Sequence, residues 1–201
     1  TVYKMSGYLE LWIGPMFSGK TTQLIQCYKK FNYIEKRICV VNYHLDKRYH
    51  ETMLSTHDKL MIPCLQTSHL KDIYKEAIKC DVILINEGQF FDDLFEVVID
   101  FVENHEKQVY ISALDGDFKR GKFGSILDLI PYCDKVTKLN SLCARCKNGT
   151  SAQFSHRVSE EEGQVVIGSD NYIPLCRKCY QEKNGLVTGE REPDYLLSST
   201  L

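Results

Sequence analysis

The sequence predicts an α/β fold: a P-loop parallel sheet with helices on both faces, followed by a small zinc-binding module. Three observations predict it. Apolar runs of strand length alternate with segments of helical periodicity between Tyr8 and Ala113. A glycine-rich turn joins the first apolar run to the first helical segment. Two Cys-x-x-Cys pairs follow where that alternation stops. Strands that are apolar along their whole length are buried on both faces, as in a parallel sheet between helical layers.

Taken in order, Tyr8–Ile13 is aromatic and aliphatic and ends at Gly-Pro, a buried strand feeding a turn. Residues 20–31 place Leu24, Ile25, Tyr28 and Phe31 at the spacing of one helix face. Residues 37–42 form a second apolar strand, and the polar stretch 43–60, rich in His, Asp and Lys, is expected to be a loop. Helices are expected over 70–79 and 93–104, and strands over 81–86 and 108–113. In such sheets ligands sit at the C-terminal strand ends. Here those ends are Gly14, Asn42, Asn86-Glu87 and Leu114-Asp115. The expected division is a nucleotide-binding domain over 1–141, a zinc-binding module over 142–184 and a mobile tail over 185–201.

Composition narrows the function classes. The 201 residues carry 25 basic and 27 acidic side chains, a formal charge of −2, which argues against a nucleic-acid-coating surface. No apolar run reaches the length of a membrane span, and no signal-type stretch opens the sequence, so no membrane partner is expected. The nine cysteines are an odd number, better suited to metal-bound thiolates in a reducing, cytoplasmic setting than to a disulfide framework. The sequon at Asn148-Gly149-Thr150 is then a chance match. Cys27, Cys39, Cys64, Cys80 and Cys133 lie mostly in apolar segments and read as core residues.

Gly14-x-x-x-x-Gly19-Lys20-Thr21 matches the phosphate-loop pattern at each fixed position, with Pro15, Met16, Phe17 and Ser18 between the glycines. Such a loop turns backbone N–H groups towards phosphate oxygens at a helix N-terminus. Lys20 would reach the β- and γ-phosphates of ATP, and the Thr21 hydroxyl would ligate Mg²⁺. A glycine-rich turn without a ligand is the bland alternative, disfavoured by the flanking strand and helix. The metal-side acidic position at a neighbouring strand end is filled by Asn86, which is neutral where a hard cation prefers anionic oxygen. Glu87 beside it is either a general base towards a substrate hydroxyl or a surface carboxylate.

Cys143-Ala-Arg-Cys146 and Cys176-Arg-Lys-Cys179 have the spacing at which paired thiolates share one tetrahedral Zn²⁺. Four cysteines imply a structural metal, with disulfide pairing as the alternative. Arg145, Lys147, Arg177 and Lys178 are expected to lower the thiol pKa values.

Gly-Pro-Met-Phe-Ser-Gly-Lys-Thr-Thr at 14–22, Glu-Gly-Gln-Phe-Phe at 87–91, Ala-Leu-Asp-Gly-Asp-Phe at 113–118 and the two cysteine pairs occur in that order. Together they resemble the zinc-containing thymidine kinase family of cellular and poxviral type, from about Leu9 to Lys183. The resemblance implies a RecA-like domain with a zinc-bearing lasso and a homotetramer. It also implies transfer of the ATP γ-phosphoryl to the 5′-hydroxyl of thymidine, and feedback inhibition by dTTP. It gives Glu87 the 5′-hydroxyl proton and places Asp46 and Arg48 in a phosphate-steadying Asp-x-Arg loop. Met16, Phe90, Leu114, Phe118 and Phe123 match positions that enclose thymine, and Tyr172 matches the lasso tyrosine. Backbone groups near Val166 and Gly168 match those that bond the base, with Ser155 beside it. Each aromatic alone is more readily a core residue; their concentration after strand ends shifts that judgement towards a flat, apolar-faced ligand. Lys119-Arg120-Gly121-Lys122 reads equally as a phosphate-side loop or a solvated charge run.

This sequence departs from the family at Asn86, where an Asp is usual, and at Asn42, where a lysine is common; the 168–172 segment is also one residue shorter. Two other readings therefore stay open. One is a nucleotide binder with catalysis weakened by Asn86, and the other a nucleic-acid-associated ATPase that uses the zinc ribbon as its binding module.

Overall fold

The structure, a computed structural model, describes residues 6–44, 53–55, 61–159, 163 and 171–185. Strand β1 is Tyr8–Ile13 and helix α1 is Lys20–Tyr33, both within two residues of their expected bounds. Strand β2, Ile38–Tyr43, follows. The stretch expected to be loop contains a strand instead: β3, Met53–Ser55, pairs antiparallel with β4, Met61–Pro63. Leu54 and Ile62 explain it, since each is buried against the α1 side of the sheet. Strand β5 is Leu65–Thr67.

The helix expected over 70–79 is shorter and begins as a 3₁₀ turn, Leu70–Ile73, before the single α-turn α2, Tyr74–Ala77. The Asp93 carboxylate accepts from the Leu70 and Lys71 N–H groups at 3.1 and 2.9 Å, which fixes that start. After β6, Val82–Asn86, the helix α3 runs over Leu94–Ile99 and then widens into a π-turn, Asp100–Asn104. The His105 N–H donating to the Asp100 carbonyl closes the wider ring. Strand β7, Gln108–Ala113, keeps its expected bounds, a 3₁₀ helix spans Ile126–Tyr132, and β8, Lys135–Lys138, is a strand the alternation did not reveal.

Six parallel strands form the sheet in the order β5-β2-β6-β7-β1-β8. Period-two alternation sends Leu9, Leu11, Ile83, Ile85 and Ile111 to one face, under Leu94, Val98 and Phe101. It sends Trp12, Val40 and Leu84 to the other face, under Leu24 and Ile25 of α1. Both faces are therefore dry, and polar groups gather where the strands end.

Four short strands follow. β9, Ser141–Leu142, pairs with β10, Ser151–Ala152, and β11, Phe154–Arg157, pairs with β12, Tyr172–Leu175. Helix α4, Arg177–Lys183, closes this part, whose own apolar cluster joins Ala152, Leu175 and Tyr180 to the cysteines.

Candidate active site

The loop after β1 curls tightly because two glycines permit it. Gly14 has φ 152°, and a Cβ there would lie 2.3 Å from the Leu139 carbonyl oxygen. Gly19 adopts the left-handed conformation at the start of α1, with φ 81°. Within the loop the Pro15 carbonyl accepts from Lys20 Nζ at 2.7 Å and from the Ser18 hydroxyl at 2.8 Å. Lys20 is buried. Its charge is thus held at the loop, at the N-terminal end of α1 where the helix dipole also favours anions.

Thr21, in the first turn of α1, donates its hydroxyl to Asn86 Oδ1 at 3.3 Å. The same oxygen accepts from the Ser112 hydroxyl at 2.7 Å, and Asn86 Nδ2 donates to Asn42 Oδ1 at 2.8 Å. Asn42 Nδ2 reaches Gln66 Oε1 at 3.4 Å. Asn42 and Asn86 are each 1% exposed. The two departures from the family therefore touch one another: two neutral amides form a satisfied, uncharged network across β2, β6 and β7. A buried network of this kind is favourable only when each member is paired.

Glu87 follows β6 in the left-handed conformation, φ 55° and ψ 43°. For a residue with a Cβ this costs about 1–3 kcal/mol, and such outliers cluster at functional sites. Gln89 orients its carboxylate, donating Nε2 to Glu87 Oε2 at 2.6 Å while Gln89 Oε1 accepts from the Leu114 N–H at 2.9 Å. Gln89 thereby joins two predicted site residues. Sequence reasoning assigns Gln89 no role, although it lies within the Glu-Gly-Gln-Phe-Phe segment at i, i+2 from Glu87, the one signal available.

The predicted aromatic wall is partly assembled by direct contact. Phe90 meets Phe123 edge-on with ring centroids 5.3 Å apart, and Tyr43 at the end of β2 stacks on Phe90 at 5.1 Å. Ser155 joins Met16, its hydroxyl accepting from the Met16 N–H at 2.9 Å. Phe118 and Tyr172 are linked through Arg157, whose guanidinium carbon lies 3.8 and 5.2 Å from their ring centroids. Asp46, Arg48, Val166 and Gly168 lie outside the described residues, as does the expected tail beyond Gly185.

The basic loop 119–122 is exposed along its length, as the solvated reading expects. Arg120 lies over the Tyr180 ring at 4.8 Å and Lys122 pairs with Asp128 at 2.5 Å. Two of its three charges thus make contacts within the chain while staying open to solvent.

The four paired cysteines converge, with all Sγ atoms within 4.8 Å of one another. Cys146 Sγ is 3.8 Å from Cys176 Sγ and 3.5 Å from Cys179 Sγ. Ligands about 2.3 Å from a tetrahedral Zn²⁺ stand about 3.8 Å apart, so this set fits that ion. No disulfide joins the nine cysteines. The expected cause of thiolate character needs correction. Burial opposes ionisation of Cys143, but backbone N–H donors of Cys176, Cys146 and Arg145 outweigh it and bring that thiol to about 6, while Cys146 is raised and burial, with bonds from its neighbours, pushes Cys179 up to about 12. The Arg145 guanidinium is paired with Glu182 and also bonds Cys179. Outside the cluster, burial pushes Cys27 and Cys39 up to about 12, as suits inert core thiols.

A family model described as thymidine kinase matches residues 7–180. The chain belongs to the thymidine kinase family. A protein of Gallus gallus described as "Thymidine kinase, cytosolic" is 40% identical over 189 residues, covering 94% of this chain and 83% of its own. A Dictyostelium discoideum protein described as "Thymidine kinase 1" is 41% identical over 184 residues, 89% of this chain and 80% of its own. The "Thymidine kinase" of Sheeppox virus is 42% identical over 178 residues, 87% of this chain and 97% of its own. Cellular and poxviral members thus resemble this thymidine kinase family chain to similar degrees. Membership makes it a kinase; the parallel sheet and the four-cysteine cluster suit that family. Among the described residues no helix is long and apolar enough to cross a membrane.

Proposed function

We propose that the chain transfers the γ-phosphoryl group of ATP to the 5′-hydroxyl of thymidine, giving dTMP. One observation carries the reading: a single loop is bonded to both halves of the site. Thr21 reaches Asn86, next to Glu87, and Met16 reaches Ser155, two residues along β11 from Arg157, which touches Phe118 and Tyr172. A loop that cradles phosphates is thereby fixed against a carboxylate and against a surface suited to a flat base.

In this reading Gly14–Thr21 hold the ATP phosphates and Lys20 offsets charge on the group in transfer. Glu87, oriented by Gln89, takes the 5′-hydroxyl proton. Mg²⁺ supplies charge neutralisation when bound with ATP, and Thr21 would hold it. Asn86, whose oxygen already accepts two hydroxyls, would stand behind that shell, with the anionic oxygens coming from the phosphates. Arg48, with Asp46, would steady the phosphates. Met16, Phe90, Leu114, Phe118, Phe123, Ser155, Tyr172 and the backbone at Val166 and Gly168 would enclose thymidine.

The four cysteines would hold a structural Zn²⁺ in a module over 142–184, separate from the nucleotide-binding domain over 1–141. The same reading includes a cytosolic location and a homotetramer; exposed Tyr33 and Ile34 at the end of α1 offer an apolar patch for assembly. It also includes inhibition by dTTP, which carries both the base and a phosphate tail.

The test is to incubate the protein with Mg²⁺·ATP and thymidine, with and without single-stranded DNA, and to count zinc. Formation of dTMP with one zinc per chain is expected. Glu87→Gln should lower kcat by about 10²–10⁴-fold. ATP hydrolysis that follows DNA and ignores thymidine would sink the proposal, and a loss below tenfold in the variant would reduce Glu87 to a positioning role.

A further inference from the structure

Arg157 is a cation buried to 6% exposure on β11, directly opposite Tyr172 in the β11–β12 register. Its Nη2 and Nε donate to the Tyr172 hydroxyl oxygen at 2.7 and 3.2 Å, and Nη1 donates to the Gly163 carbonyl. The guanidinium face lies on the Phe118 ring, 3.8 Å from its centroid. Phe118 is fixed from behind as well, since its carbonyl accepts from the Tyr180 hydroxyl at 2.5 Å. Phe118 and Tyr172 come from segments more than fifty residues apart in the sequence. Among the described residues, Arg157 touches both side chains.

A guanidinium can do this because it is planar: it stacks with its face and donates with its edge in the same pose. An ammonium cannot combine those contacts. Burying such a charge is unfavourable unless its donors are used, so its placement constrains the rings it contacts.

We propose that Arg157 is a positioning residue for the nucleoside, a strut that locks the Phe118 ring and the Tyr172 hydroxyl at fixed spacing. The proposal deepens the thymidine reading and rests on it. Arg157 itself does not touch the reacting atoms, so it should govern how thymidine is held and leave the phosphate loop alone.

The test is steady-state kinetics on the full chain, varying thymidine and ATP separately. Arg157→Met should raise the thymidine KM about tenfold and leave the ATP KM within about twofold. Arg157→Lys keeps the charge without the plane and should not rescue it. Should Arg157→Met lack a cooperative unfolding transition, Tyr172→Phe decides, since it removes only the hydroxyl. It should raise the thymidine KM by a smaller factor. Where both variants fold, the effect of Arg157→Met in the Tyr172→Phe background should shrink. A thymidine KM unmoved by the variants, or both KM values rising together, overturns the strut while the activity stands. A wild-type chain that makes no dTMP and binds no thymidine in calorimetry overturns the thymidine reading, and the strut with it.

Discussion

The phosphate side of the proposed site comes from one continuous stretch, Gly14–Thr21, backed by the ends of β2, β6 and β7 in the middle of the sheet. The proposed nucleoside side draws on Met16, Phe90, Leu114–Phe123, Ser155 and Tyr172, which lie on separate elements and are joined in smaller groups, Phe90 with Phe123, Phe118 with Tyr172 through Arg157, and Met16 with Ser155. The first is held by strand register and buried amide bonds, the second by ring contacts, Arg157 and one tyrosine hydroxyl. A site anchored in a sheet should tolerate changes in the four-cysteine part, and one anchored by stacked rings should not. Perturbations of the two sides should therefore separate cleanly in kinetics.

The largest expected effect tests the phosphate side. Lys20→Ala should lower kcat by about 10²–10³-fold or more, because it removes a preorganised charge from the group in transfer. The fold should survive, since the Pro15 carbonyl keeps its bond from Ser18. Thymidine binding measured by calorimetry should stay within about threefold of the parent, as expected for an interaction made mainly in the transition state. A variant that turns over normally would place the nucleotide elsewhere, and one that loses thymidine binding would deny the separation of the two sides.

An intermediate effect concerns Asn86. Asn86→Asp looks like a return to the family pattern, yet it puts a carboxylate oxygen where Asn86 Nδ2 now donates to Asn42 Oδ1 at 2.8 Å. Two acceptors would then face each other in a buried site. Denaturant unfolding should show a loss of about 1–3 kcal/mol, the cost of a buried polar group left without its partner. Adding Asn42→Lys supplies both a donor and an opposite charge, and should recover most of that loss. If Asn86→Asp alone is at least as stable as the parent and faster, the neutral network is a defect and not a substitute.

How much of this was legible in the sequence follows the same divide. The phosphate loop was legible because its ligating groups are covalent neighbours and their spacing is the geometry. The strands β1, β6 and β7 were legible because they are apolar on both faces. β3 was not, being only three residues long, nor was β8, an edge strand whose partner β1 lies far off in the chain. Asn86 was recognised as unusual, but its bonds to Ser112 and Asn42 depend on strand register, which no local pattern encodes. The nucleoside residues came from family resemblance and not from periodicity. Arg157 escaped even that, because a lone arginine in a polar stretch carries no signal until β11 and β12 are paired.

The smallest predicted effect probes the join between the two regions. Tyr180 follows Cys179, is buried in the zinc-side cluster, and donates its hydroxyl to the Phe118 carbonyl at 2.5 Å. That bond carries the position of α4 to the loop bearing Phe118, and Arg120 over the Tyr180 ring holds the loop from the other side. Tyr180→Phe keeps the ring and removes one neutral hydrogen bond, a net contribution of about 0.5–1.5 kcal/mol. The thymidine KM should therefore rise by about two- to tenfold, with zinc content and the ATP KM unchanged. An equal rise in both KM values would mean that α4 steadies the whole chain. No change in either would mean that Arg120 and Arg157 hold Phe118 without it, leaving the zinc-bearing part connected to the nucleoside through β11 alone.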